Sequence, residues 1–311
     1  MTIIAIIKPI LILGVIGLIG FLTSLRVEVT KESKNLLASI VLNIALPAVI
    51  IQSIFQSTIT KEDWINFSYV VFIALLLNGT GITIGYFICR KLVHLSVSNS
   101  KKVAVLSGCG NTAFMGIPVV SMFLGTSSGL YASIYDLGTV LTVFTVGVML
   151  LQSSKFTFKQ LKSVLNAPFI TIVISLSLVS LNIGLPDFLL ELSAMLAAVA
   201  APLSMLYIGM LFTKEKLSLL RSQYKKLIFT ATFVKTFFLP AVALIIIIFL
   251  PLSITLKQVI ALQAGMPSFL TASVLFEKYT GSEGVGTITI MFTAMLSLIT
   301  LPGIYYISIF L

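Results

Sequence analysis

Ten apolar runs follow one another along this chain, covering residues 9–25, 36–57, 64–89, 103–124, 130–153, 168–185, 188–212, 225–250, 256–277 and 285–310. Most exceed the roughly 20 residues that an α-helix needs to cross a bilayer, and the shorter first and sixth remain within the usual range. With 58% of its residues hydrophobic and only 10% charged, a soluble domain of this length could not cover itself with polar surface. The fold class is therefore all-α integral membrane, with ten transmembrane helices.

The net charge of +10 raises the question of nucleic acid, so the positions of the basic residues decide its meaning. They lie almost entirely between the apolar runs, and no basic helix interleaved with aromatics occurs, which excludes a nucleic-acid partner. Sixteen of the 20 Lys and Arg fall in the odd-numbered connections, from Arg26, Lys31 and Lys34 in the first to Lys278 in the last. The other connections and the amino-terminal end hold only Lys8, Lys61 and Lys257, and Lys235 lies inside a run. Because cytoplasmic loops accumulate Lys and Arg, the odd connections are expected in the cytoplasm and both termini outside it, in a multi-pass protein of the cell membrane. The first run has only Lys8 before it and its basic residues after it, so it reads as a membrane helix rather than a signal peptide. Cys89 and Cys109 suggest neither a disulfide nor a metal spacing, and His94 beside Arg90 and Lys91 reads as a solvated loop residue. No metal and no organic cofactor is expected.

An odd number of spans per half makes the second five helices run opposite to the first five. Residues 1–153 and 167–311 are thus expected to form two inverted five-helix repeats, joined by the short cytoplasmic connection 154–166. The fourth run is interrupted by Gly108-Cys109-Gly110-Asn111-Thr112-Ala113-Phe114-Met115-Gly116-Ile117-Pro118, poor material for a continuous helix. Its counterpart in the ninth run is Gln263-Ala264-Gly265-Met266-Pro267-Ser268, and Leu46-Pro47-Ala48 in the second run is echoed by Ala201-Pro202-Leu203 in the seventh. Broken helices survive in a membrane only where they are buried in protein or line a wet cavity. Gly14, Gly17 and Gly20 recur every three residues, a spacing that suits close helix packing.

A helix restarted at a midplane break presents unpaired N–H groups and about half a positive charge. Pro118 and Pro267 are expected at the first position of two such half-helices, whose N-termini converge on one cavity and attract an anion. Asn111, Thr112, Gln263 and Ser268 add uncharged donors and acceptors, with Gly110, Gly116 and Gly265 in the same breaks. A small carboxylate is the natural ligand class. Asp136 in the fifth run and Lys235 in the eighth are a structural pair, headgroup-level groups that snorkel, or groups with a part in the cycle, Asp136 taking a proton or cation and Lys235 compensating anionic charge. Among the in-span amides Asn43, beside Pro47, is the stronger functional candidate; Asn78 and Asn166 suit bonds to neighbouring helices.

These motifs resemble the auxin efflux carrier family in its bacterial permease form. The resemblance is carried by Gly110-Asn111-Thr112-Ala113-Phe114-Met115-Gly116-Ile117-Pro118 and, in order, by Leu46-Pro47-Ala48, Asn166-Ala167-Pro168, Pro202-Leu203-Ser204, Val234-Lys235-Thr236, Met266-Pro267-Ser268, Glu277-Lys278-Tyr279 and Leu301-Pro302. It implies a scaffold and a transport domain, each built from both repeats, with the fourth and ninth helices crossing at their breaks. It also implies elevator-like alternating access, as in the bile-acid sodium symporters and sodium/proton antiporters of the same broad fold. Bacterial relatives are associated with dicarboxylates such as malate or malonate, and related folds make a homodimer plausible. The plant carriers' long central loop is reduced here to residues 154–166, and the second crossover has no further proline soon after Pro267, so the plant hormone site does not transfer.

The expectation is a secondary transporter for a small organic anion, driven by protons, sodium or the membrane potential, and not an enzyme, since no Ser/His or His/Glu constellation lies in the spans. A cation/proton antiporter using Asp136 is the alternative. A sensor or channel subunit lacks support in any signalling domain or continuous polar stripe.

Overall fold

A computed structural model describes residues 3–152, 162–212 and 224–311, which are almost wholly helical, with one isolated β-bridge among them. Lys155, Lys159, Lys214, Lys216 and Arg221, which contribute to the charge asymmetry, lie outside these residues. In chain order the helices are α1 (Ile3–Arg26), α2 (Glu32–Phe55), α3 (Lys61–Leu92), α4 (Val97–Gly108), α5 (Thr112–Leu124) and α6 (Ser128–Gln152). They continue with α7 (Ala167–Ser180), α8 (Asp187–Met210), α9 (Lys225–Ile248), α10 (Ile254–Ala264), α11 (Ala272–Thr280) and α12 (Glu283–Ser308). Six of them, α2, α3, α6, α8, α9 and α12, are long and apolar enough to cross a membrane. The fourth run is split into α4 and α5, and the ninth into α10 and α11. Large apolar side chains such as Phe72, Phe237 and Ile299 lie exposed on the helices, as suits a chain whose solvent is lipid.

Local chemistry sets the helix ends. Thr60 and Asp63 form a capping box at the start of α3, and Ser96, Asn166 and Ser253 cap α4, α7 and α10, each cap contributing about 1 kcal/mol. Asn166 thus serves as a cap, whereas Asn78 Nδ2 donates to Thr139 Oγ1 at 3.0 Å and ties α3 to α6.

Five of the described helices contain a π turn, and three of these turns, Val41–Ala45, Thr112–Gly116 and Val234–Phe238, end two residues before a proline, at Pro47, Pro118 and Pro240. Proline lacks an N–H, and its ring collides with the carbonyl four residues earlier; a wider turn relieves the collision and leaves that carbonyl to find another donor. At Pro118 the carbonyl in question belongs to Phe114, and Ser204 Oγ of α8 donates to it at 2.6 Å.

Contacts between helices fall into two groups. α1 lies along the second half of α8, the first half of α8 packs on the second half of α2, and that half of α2 packs on α7. In the other group α3 packs on α4 and α6, α9 on α4 and α10, α5 on α6, and α10 and α11 on α12. The α1–α8 seam is a backbone-to-backbone approach. A side chain on Gly20 would run into the Leu206 backbone, and one on Gly209 into the Gly17 carbonyl, so the glycine spacing of α1 serves packing.

Candidate functional site

The site grows from the two interruptions. α4 stops at Gly108 and α10 at Ala264, and the segments that follow cross and pair in antiparallel fashion at Gly110 and Ser268. Asn111 N–H donates to the Pro267 carbonyl at 2.7 Å, and Phe269 N–H donates to the Cys109 carbonyl at 3.2 Å. Ser268 N–H donates to Thr293 Oγ1 of α12 at 3.1 Å, and Ser268 Oγ donates to the Leu106 carbonyl at 2.8 Å. Backbone groups released from helices are thereby satisfied within the protein, as membrane burial demands.

Two expectations about the restarts are corrected. α5 begins at Thr112, and Pro118 follows its opening π turn rather than occupying its first position. Pro267 sits in the connector, and α11 begins only at Ala272. The reason is the crossing itself: residues 267–269 are extended because their backbone bonds to residues 109–111.

Gln263, buried beside Gly116, fixes α5 against its neighbours: its Nε2 donates to the Thr112 carbonyl at 3.2 Å and to the Ala132 carbonyl at 3.0 Å. A side chain on Gly116 would run into that amide, which accounts for the glycine. Lys235 is 1% exposed, and its ammonium donates to the Ala264 carbonyl at 3.3 Å, at the carbonyl-rich end of α10. A cation there complements the negative end of the helix dipole. Gly110 leaves room for it, since a Cβ at that glycine would stand 3.1 Å from Lys235 Nζ. Asp136 has a different partner, Thr112 Oγ1, which donates to Asp136 Oδ1 at 2.5 Å. The two buried charges therefore have separate bonds instead of forming a structural pair.

A cavity of about 240 Å³ opens between the two helix groups. Of the residues singled out by sequence, Asn43, Gly110, Asn111, Thr112, Asp136 and Asn166 line it, whereas Gly116, Pro118, Gln263, Gly265, Pro267, Ser268 and Lys235 do not. The latter set builds the crossing behind the cavity. Thr139, one turn from Asp136 on α6, and Phe269 to Thr271 in the second connector also line it and were missed. Helical spacing from Asp136 signalled Thr139; the connector residues had no local signal. Asn111 is 4% exposed, and its Nδ2 has no hydrogen-bond partner among the described residues. The first turn of α5, whose N–H groups precede any intrahelical acceptor, forms the adjoining wall. Asn111, whose amide nitrogen is buried without a partner among the described residues, thus lines the cavity together with the first turn of α5 and the Asp136 carboxyl group. A second cavity of about 500 Å³, between α1, α8 and α12, is apolar and holds none of the candidate polar residues.

A family model described as membrane transport protein matches residues 5–305. An uncharacterized transporter of Methanocaldococcus jannaschii is 25% identical over 218 residues, 67% of this chain and 69% of that protein. Another uncharacterized transporter, from Methanothermobacter thermautotrophicus, is 26% identical over 137 residues, 44% of each chain.

Proposed function

The chain belongs to the membrane transport protein family, that of the auxin efflux carriers, and from this premise we propose that it is a secondary transporter of a small organic anion, a mono- or dicarboxylate such as malate or malonate. The observation that carries the reading is the unpartnered Asn111 amide beside the first turn of α5 in the 240 Å³ cavity. A free N–H donor next to the positive end of a helix suits a carboxylate, which accepts hydrogen bonds and donates none.

The ten spans form two inverted repeats in this reading. Support comes from the matching breaks in the fourth and ninth runs and from Pro47 and Pro202 in α2 and α8. α1, α2, α7 and α8 act as scaffold, and the remaining helices carry the site past them as an elevator; the cavity's place between the groups supports this division. The charge asymmetry puts both termini outside the cytoplasm. Asp136 shares the cavity with the anion, so the two negative charges repel unless Asp136 carries a proton or a sodium ion lies between them. That repulsion couples the substrate to a cation.

A cation/proton antiporter is the second reading, favoured by one observation: among the described residues, Asp136 is the ionisable side chain in the lining. Thermal stabilisation of the purified protein by a carboxylate panel, with and without sodium, separates the two. A carboxylate is expected to raise the melting temperature, and Asn111→Ala to abolish that shift. A panel in which only a cation stabilises would overturn the anion reading.

A further inference from the structure

The apolar cavity of about 500 Å³ has no part in the anion site, and its walls are of one character. They come from α1 between Leu13 and Phe21, the second half of α8, α12 between Phe292 and Leu298, and Met115 of α5, and no lining residue has a polar side chain. Leu18 and Met295, 53% and 51% exposed, stand at the rim, while Met115, Met205 and Ile208 are buried in the wall. Both rim residues lie well inside their helices, at bilayer depth. The cavity is therefore a slot that opens sideways, toward lipid.

The packing decides what can enter. α1 touches α8, α12 and α5 directly, and α8 touches α5, so the slot is a gap between helices already in contact and offers no seat to a further helix, whether from a partner or from a second copy. Water gains nothing from walls that neither donate nor accept a hydrogen bond. A flexible hydrocarbon chain matches both the shape and the chemistry. The slot follows α1 for eight residues, about 12 Å at 1.5 Å per residue.

Charge selects the headgroup. A Cβ on Gly14 would stand 3.7 Å from Leu298, so α1 and α12 run antiparallel along the slot and bring Phe21 and Phe292 to the same end. Arg26 follows Phe21 by five residues, and the Phe292 ring packs at 6.3 Å on Phe229 of α9, one turn after the exposed Lys225 and Lys226. That end belongs to the odd-numbered connections, which hold sixteen Lys and Arg against five acids, Glu28, Glu32, Glu215, Glu277 and Glu283. Clustered basic residues beside a membrane helix attract anionic lipid.

We propose that the slot binds one acyl chain of an anionic phospholipid, with the headgroup at the basic end of α1 and α9 and the chain against Met115. Thr112, Ala113 and Phe114 line the 240 Å³ cavity and the next residue, Met115, lines the slot, so a single π turn separates the lipid from the solute site. The inference goes beyond the anion reading and stands whichever solute is carried.

The test uses the full chain in vesicles of phosphatidylethanolamine and phosphatidylglycerol, with a trace of phosphatidylglycerol that bears a photoactivated diazirine midway along one acyl chain. Labelled residues are mapped by mass spectrometry. Label is expected on Met115, Met205 and Ile208 as well as on the rim. Gly14→Leu/Ala294→Leu fills the slot from two walls and is expected to reduce label on the three buried residues at least tenfold while leaving label on the exposed Phe72 unchanged. The same diazirine on phosphatidylcholine, which has no net charge, is expected to label the slot at most a third as strongly. Wild-type label confined to exposed residues such as Leu18 and Met295 would overturn the site, and that result requires no variant to fold. Undiminished label on the buried residues of the filled variant, or equal label from the two lipids, would overturn the proposal as well.

Discussion

Asp136→Asn keeps the side-chain shape and the oxygen to which Thr112 donates, and removes only the charge. A bound anion shares the cavity with Asp136, and a separation of about 8 Å serves for the two charges. At an effective dielectric constant of about 20, two unit charges about 8 Å apart repel by about 2 kcal/mol, a factor of about 30 in affinity. The wild type is therefore expected to bind its anion about 30-fold more weakly with Asp136 ionised than with Asp136 protonated. The variant should bind at alkaline pH as tightly as the wild type does at acid pH. Equilibrium binding of whichever panel carboxylate stabilises the protein, titrated across pH in both proteins, reads this directly. An asparagine variant that binds no better at alkaline pH, or that keeps the wild-type pH dependence, would refute the electrostatic coupling. Transport moves the other way: tight binding without a releasable proton should lower turnover and abolish acid-driven accumulation.

Two further outcomes test the framework of the site. Gln263→Leu removes the donors to the Thr112 and Ala132 carbonyls, and leaving two buried acceptors unsatisfied should destabilise the protein by about 2–4 kcal/mol, read as a lower thermal midpoint in detergent. Gly209→Ala should destabilise strongly because its Cβ meets the Gly17 backbone, whereas Gly303→Ala, with nothing within 4 Å of the new atom, should leave the midpoint within about 1 °C; equal midpoints for the two variants would count against the glycine seam.

Hydropathy located the helices well because in lipid the length of an apolar run and the length of a helix answer to the same thickness. The observed α3, Lys61–Leu92, brackets the expected 64–89, and α9, Lys225–Ile248, nearly coincides with 225–250. The first break was legible because glycine, asparagine and proline each weaken a helix locally. Its consequences were not, because they depend on distant partners. Ser204, which satisfies the carbonyl freed by Pro118, lies 90 residues from Phe114. The extended form of residues 267–269 is imposed by residues 109–111, so no property of Pro267 itself could show that it opens no helix. Likewise the sequence put Lys235 and Asp136 inside spans without fixing which faces they occupy, and the geometry assigns one to a helix end and the other to a cavity wall.

The pairing of the two connectors also governs how the chain can be assembled. When α4 and α5 enter the bilayer, the Asn111 N–H and the Cys109 carbonyl have partners that do not yet exist, because Pro267 and Phe269 are synthesised more than 150 residues later. At about 5–20 residues per second that interval is roughly 8–30 s. Throughout it the first half of the protein must keep an unwound, polar backbone away from lipid, by lying at the membrane surface, by remaining beside the insertion machinery or by holding a provisional helix through Gly108 to Thr112. The crossing that makes the site thus cannot form until the second half has been synthesised, and each half on its own is an incomplete membrane protein.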